Sequence, residues 1–158
     1  MIQSWLVIGA VTLLLAFLSN SLVNSRGARW FRRLRRPYWL TFEKAIPIIW
    51  TVIFICGAGS AVIVWEQDPG SSVTWGLMGL YLALELITVS YTPLMLWLRR
   101  LQVGTLIGGI GAILGILLAI LVWSVSPWAT LLLIPYVIWS PIGTYTTWEM
   151  SRLNPLDA

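Results

Sequence analysis

From Leu101 to Trp148 not one residue carries a charge. A run that long is too apolar to be solvated and too long for a single membrane crossing, which takes about 20 residues. It has room for two crossings. Ser124-Val125-Ser126-Pro127 supplies the break, a turn signal followed by a proline suited to opening a helix. Three further apolar segments precede it: the charge-free stretch from Met1 to Ser25, Ala45 to Trp65, and Val73 to Leu98, the last with one acid, Glu85. Charged residues make up 10% of the 158-residue chain and hydrophobic ones 58%. Soluble domains carry about 25% charged residues, so neither a water-soluble fold nor disorder fits. The expectation is an all-α membrane protein, one domain over residues 1–158, built as a bundle of five transmembrane helices. These fall at about 2–24, 45–65, 73–98, 103–123 and 127–150.

The start, MIQSW, lacks the positive n-region of a signal peptide and is read as the beginning of the first span. Trp65, Trp75, Trp97, Trp123 and Trp128 fall at span ends, where amphipathic rings favour the headgroup level. Arg26, Arg29, Arg32, Arg33, Arg35, Arg36 and Lys44 lie in the first loop, Arg99 and Arg100 in the third, and Arg152 in the C-terminal tail. All ten basic residues therefore share one side, and the other side holds only Glu66 and Asp68. The positive-inside rule places the Arg-rich loop and the C-terminus in the cytoplasm. No internal repeat is visible, and an odd number of spans argues against the inverted halves of many transporters.

The chain has no histidine and one cysteine, Cys56. That removes the usual general base, the usual haem ligand and any intramolecular disulfide. No catalytic residue, metal site or cofactor is expected. In ARWFRRLRR, residues 28–36, Trp30, Phe31 and Leu34 would share one helical face among arginines. The segment reads as resting on anionic membrane lipids, and not as a nucleic-acid site. Glu85, mid-span, is either part of a proton or ion path or a hydrogen-bonded acid facing the bundle. No Lys, Arg or His in any span offers it a partner, which favours the second. Gly104 with Gly108, Gly111 with Gly115, and Gly57 with Ala61 are small-xxx-small pairs that serve packing within the bundle or a homodimer equally well.

The fifth segment is too polar and aromatic for a plain lipid-facing helix: Pro135, Trp139, Pro141, Gly143, Thr144, Tyr145, Thr146, Thr147 and Trp148 crowd it, and Pro47 and Trp50 mark the second. Prolines and small residues open gaps between helices, and tryptophans give flat walls. Such a combination suits a pocket for a flat apolar ligand, or plain packing around bulky rings.

Two of these stretches resemble the translocator protein family (TspO/MBR, the peripheral benzodiazepine receptor and the tryptophan-rich sensory proteins). In RRPYWLTFEKAIPIIWT, residues 35–51, Arg36, Pro37, Trp39, Trp50 and Thr51 match, while the family's Pro-Pro pair is replaced by Thr41-Phe42. In PYVIWSPIGTYTTWEMSRLN, residues 135–154, Pro135, Tyr136, Trp139, Thr144, Tyr145, Arg152 and Asn154 match; the family asparagine falls at Thr147 and the closing tryptophan at Ser151. The third span keeps only Pro93, with Tyr91 as its aromatic. The resemblance implies a five-helix bundle, often a homodimer, in a membrane that we expect to be a bacterial cell membrane. It implies a pocket lidded by the first loop that takes porphyrins, sterols or synthetic drugs. The residues so implicated are Trp39, Pro47, Trp50, Tyr91, Trp139, Gly143 and Thr147. The sterol pattern fails because six residues separate Tyr145 from Arg152, so a tetrapyrrole such as protoporphyrin IX is the expected partner and a sterol the lesser one. With no iron ligand, a metal-free ring fits better than haem, its carboxylates meeting Lys44 and the arginines. Any breakdown of the ring is expected to need light. The alternatives are a small transporter coupled through Glu85 and a structural membrane subunit whose tryptophans only pack.

Overall fold

The computed structural model describes residues 3–158; the expected first span began at residue 2, just outside them. Among these residues six α-helices follow one another: α1 (Ser4–Ser21), α2 (Ser25–Arg33), α3 (Ile46–Gln67), α4 (Ser72–Leu98), α5 (Leu101–Trp123) and α6 (Pro127–Leu153). Single 3-10 turns at Glu43–Ala45 and Pro155–Asp157 lead into α3 and close the chain. Local chemistry sets these ends. Ser71 and Ser126 cap α4 and α6 through the amides of Thr74 and Ala129, and Pro127 stands in the first turn where its missing N–H is not needed. Arg99, in the left-handed region at φ 49°, stops α4 and lets the chain reverse into α5 within two residues.

Four helical segments among the described residues, Ser4–Ser21, Glu43–Gln67, Ser72–Leu98 and Leu101–Trp123, are long and apolar enough to cross a membrane. The expected set of five is therefore reached only in part. At 27 residues α6 has the length, but the prolines, aromatic residues and threonines of its uncharged part leave it less apolar than the four. The short α2 is an additional helix. Its Trp30 and Phe31 turn inward with Leu34 onto Met95, Leu96, Leu101 and Met150, so its apolar face packs on the bundle, where a segment resting on lipid was expected. Gly27 makes this possible, because any Cβ there would strike the backbone carbonyl of Leu96.

α5 packs closely on α6 and on the end of α4, and its glycines explain it. A Cβ at Gly104 would lie 2.7 Å from Met95 Sδ, at Gly108 2.6 Å from Thr144 Oγ1, at Gly111 2.8 Å from Tyr136 Oη, and at Gly115 2.5 Å from Tyr136 Cε1. The stripe is filled by this chain's own side chains. Gly57, by contrast, meets nothing within 4 Å. The main core joins Ile53, Val64, Leu77, Leu84, Leu118, Val122, Leu133 and Tyr136. Outward-facing apolar residues such as Leu13 and Phe17 (73% and 71% exposed) cover the helices, an unsustainable surface in water and a normal one in lipid.

The helices alternate in direction, which sorts the charges. Trp97 Nε1 donates to Leu22 O and Arg35 N to Asn154 Oδ1, so the first loop, the α4–α5 turn and the C-terminus share one end. All ten basic residues stand there. Ser4 Oγ donates to Glu66 Oε1 and Trp65 lies edge-on to Trp75 at the opposite end.

Candidate functional site

At the basic end the first loop is tied to the end of α6 by side chains from both. Asn154 accepts from Arg35 N at 2.9 Å and donates from Nδ2 to Arg35 O at 3.1 Å, which mimics a strand pairing. Trp30 Nε1 donates to Asp157 Oδ1 at 2.7 Å, and Trp39 Nε1 donates to Glu149. Arg36 organises the loop from within: Nη1 donates to Phe31 O and Leu34 O, both at 2.8 Å, while Nε pairs with Glu43 at 3.2 Å. Its guanidinium also covers the Phe31 ring at 4.5 Å. This is the one ion pair among the described residues, which leaves the other basic side chains of this end without a carboxylate partner.

The tied loop delivers rings to α6. Trp139 meets Phe42 edge-on at 6.1 Å, Phe42 meets Trp39 at 6.3 Å, Trp39 stacks on Tyr145 at 5.9 Å, and Tyr145 meets Trp148 at 5.5 Å. Arg152 closes the row over Trp148. A shallow, open depression lies between Trp39, Pro141, Ile142 and Tyr145.

Of the seven residues singled out from the sequence, the structure brings Trp39 and Trp139 into this row. Pro47 sits exposed in the first turn of α3. Gly143 has open space beside it. Trp50 turns instead to the core, edge-on to Tyr136 at 6.3 Å and near Phe54. Tyr91 and the buried Thr147 stand where α4, α5 and α6 meet, against Gly108 and Gly104 respectively. The Thr147 hydroxyl donates to backbone carbonyls of its own helix. Phe42 was missed. It occupies the place of the family's second proline, a departure in the sequence that supplies the ring joining Trp39 to Trp139.

The other half of the molecule holds a half-open feature that no local pattern announced. A cavity of about 480 Å³ opens between α1, α3, α4 and α6. None of the seven residues lines it. Its wall is apolar except for a few groups, most of them already paired. Tyr81 Oη bonds Ser60 Oγ, which also reaches Ala129 O at 2.7 Å, and Tyr136 Oη bonds Thr88 Oγ1 at 3.0 Å. Glu85 also lines it, and its Oε1 is buried without a hydrogen-bond partner. Gly57 and Ala61, a candidate contact pair, line this space. No three His, Cys, Asp or Glu side chains among the described residues group to hold a metal.

Comparison with known proteins agrees with the motifs. The chain is 28% identical to protein CrtK of Rhodobacter capsulatus, over 84% of this chain and 82% of that protein. It is 22% identical to the tryptophan-rich sensory protein of Cereibacter sphaeroides, over 79% and 77%. Human translocator protein 2 is 28% identical over 91% and 88%. The TspO/MBR family profile matches residues 7–153, nearly the whole length, and with the loop, the aromatic row and the bundle in view the chain belongs to the TspO/MBR family.

Proposed function

We propose that this protein is a membrane receptor for a flat, largely apolar ligand with carboxylates, a tetrapyrrole such as protoporphyrin IX, bound at the basic end. The observation that carries the reading is the continuous row of Trp139, Phe42, Trp39 and Tyr145 beside basic side chains that have no carboxylate of their own. Aromatic faces stack on a planar ring, and Lys44 and the arginines answer its carboxylates. The cavity of the other half suits such a ligand poorly, since its wall offers no lysine or arginine to the carboxylates. In the same proposal α6 is the fifth span and the membrane is a bacterial cell membrane. The Arg-rich loop and C-terminus are cytoplasmic, and the Glu66–Asp68 turn lies outside. A homodimer would form through outward apolar faces, because the α5 glycines are used within the chain.

Titration of purified protein with protoporphyrin IX, followed by tryptophan fluorescence, tests this. Saturable quenching is expected. Trp139→Ala should weaken binding by roughly 1–3 kcal/mol, the scale of one lost aromatic stacking partner. Trp128→Ala should leave it unchanged, because Trp128 is 74% exposed at the far end of α6. Equal effects from the two, in folded protein, remove the site from Trp139; no quenching at all leaves a structural subunit. The buried, unpartnered Oε1 of Glu85 favours a second reading, a small transporter. Protoporphyrin accumulation in proteoliposomes that vanishes in Glu85→Gln would establish it.

A further inference from the structure

We propose that the cavity between α1, α3, α4 and α6 is a second ligand site, independent of the aromatic end, and that its ligand is a lipophilic amine carrying a single positive charge. Its volume of about 480 Å³ lies within the 300–1,000 Å³ typical of small-molecule sites, which pair apolar walls with a few placed polar groups. Ile53, Phe54 and Leu133 contribute apolar wall, and Gly57 leaves its side open.

The polar inventory selects the ligand's chemistry. Tyr81 and Tyr136 are satisfied by Ser60 and Thr88, so they ask nothing of a ligand. Glu85 is different, with Oε1 buried and unpartnered. A buried acceptor left unmade is destabilising, and a carboxylate more so. No lysine or arginine stands in α1, α3, α4 or α5, and the one of α6, Arg152, lies at the basic end. Among the described residues nothing supplies a countercharge, which leaves that place to a ligand. One protonated nitrogen supplies both the hydrogen bond and the charge, and there is one anchor, so a monocation fits where a polyamine or an anion does not.

The approach is biased the same way. The end of the bundle nearer this cavity, where Ser4, Trp65 and Trp75 contribute to its wall, bears Glu66 and Asp68 and no basic residue, which draws cations. The side wall is α1, none of whose residues is fully buried in the bundle, which makes it the least covered wall between the cavity and the lipid.

Binding of tritiated imipramine, an apolar tricycle with one tertiary amine, to purified protein in lipid nanodiscs tests this. The competitor is iminodibenzyl, the same ring system without the amine chain. Saturable imipramine binding is expected. Glu85→Gln should weaken imipramine by at least about tenfold, the scale of one charge-assisted hydrogen bond, and leave iminodibenzyl unchanged. Gly57→Phe, which fills open space without meeting a neighbour at its Cβ, should abolish both. Trp139→Ala should leave imipramine binding intact, so the outcome does not depend on whether protoporphyrin binds. Circular dichroism and a single thermal transition establish folding of each variant. No saturable imipramine binding to the unaltered protein, equal binding by folded Glu85→Gln, or loss in Trp139→Ala but not in Gly57→Phe would each overturn the proposal.

Discussion

Replacing single glycines by alanine should change stability in opposite directions depending only on what faces the missing Cβ. Gly79 has nothing within 4 Å, so Gly79→Ala should gain the backbone-entropy term alone, about 0.5–1 kcal/mol. At Gly115 the new methyl would lie 2.5 Å from Cε1 and 2.7 Å from Cδ1 of Tyr136. That ring is buried, rests against Trp50 and bonds Thr88, so it cannot swing aside freely. Overpacking of this kind costs about 1–3 kcal/mol and loss of the Thr88 hydrogen bond about 1 more, against the same entropy gain. The net expectation is destabilisation by about 1–3 kcal/mol, a melting temperature lower by roughly 2–10 °C for a chain of this size. Thermal melts in detergent micelles at one scan rate, read by tryptophan fluorescence, compare the variants. A double-mutant cycle sharpens the cause. Gly111→Ala would meet the Tyr136 hydroxyl at 2.8 Å, so Tyr136→Phe should relieve Gly111→Ala and leave Gly115→Ala unrelieved. If Gly115→Ala melts as high as Gly79→Ala, or Tyr136→Phe rescues both alike, close α5–α6 packing does not hold the bundle as described.

Single cysteines at Asp68 and at Leu156, the latter 99% exposed, in a Cys56→Ser background, test orientation: an impermeant thiol reagent should label the Asp68 site from outside and spare the Leu156 site, and the reverse pattern inverts the topology. Asn154→Ala removes both bonds to Arg35, and the freed Arg-rich loop should be cut several-fold faster by trypsin while the melting temperature moves little; an unchanged cleavage rate would mean that Trp30 and Trp39 hold the loop alone. Bound protoporphyrin should be stable in darkness and altered only under light with oxygen, followed at the Soret band, since the aromatic row offers no histidine or metal cluster for dark chemistry; repeated dark turnover without added cofactor would show an enzyme.

Much of the architecture is written locally. Backbone amides in lipid must be satisfied within their own segment and side chains there must be mostly apolar, so α1, α3, α4 and α5 announce themselves as apolar runs of the right length, α4 with the single acid Glu85. Turn and cap residues such as Ser71, Ser126 and Pro127 mark their ends, and the one-sided arginines sort the two ends of the bundle. The motif around Arg36, Pro37 and Trp39 and the one ending in Asn154 carried the family for the same reason: Arg36 folds its own loop, and Asn154 closes it. What a helix faces is not local. Gly115 and Gly57 look alike in sequence, yet one is pressed against Tyr136 and the other borders empty volume. Trp50 and Trp139 both read as pocket walls, and only Trp139 joins the aromatic row. Phe42 read as a departure from a pattern and became the link between two tryptophans. Each difference depends on how a helix or the first loop is set against neighbours far along the chain. For the same reason the cavity beside Glu85 exists only once α1, α3, α4 and α6 are packed together.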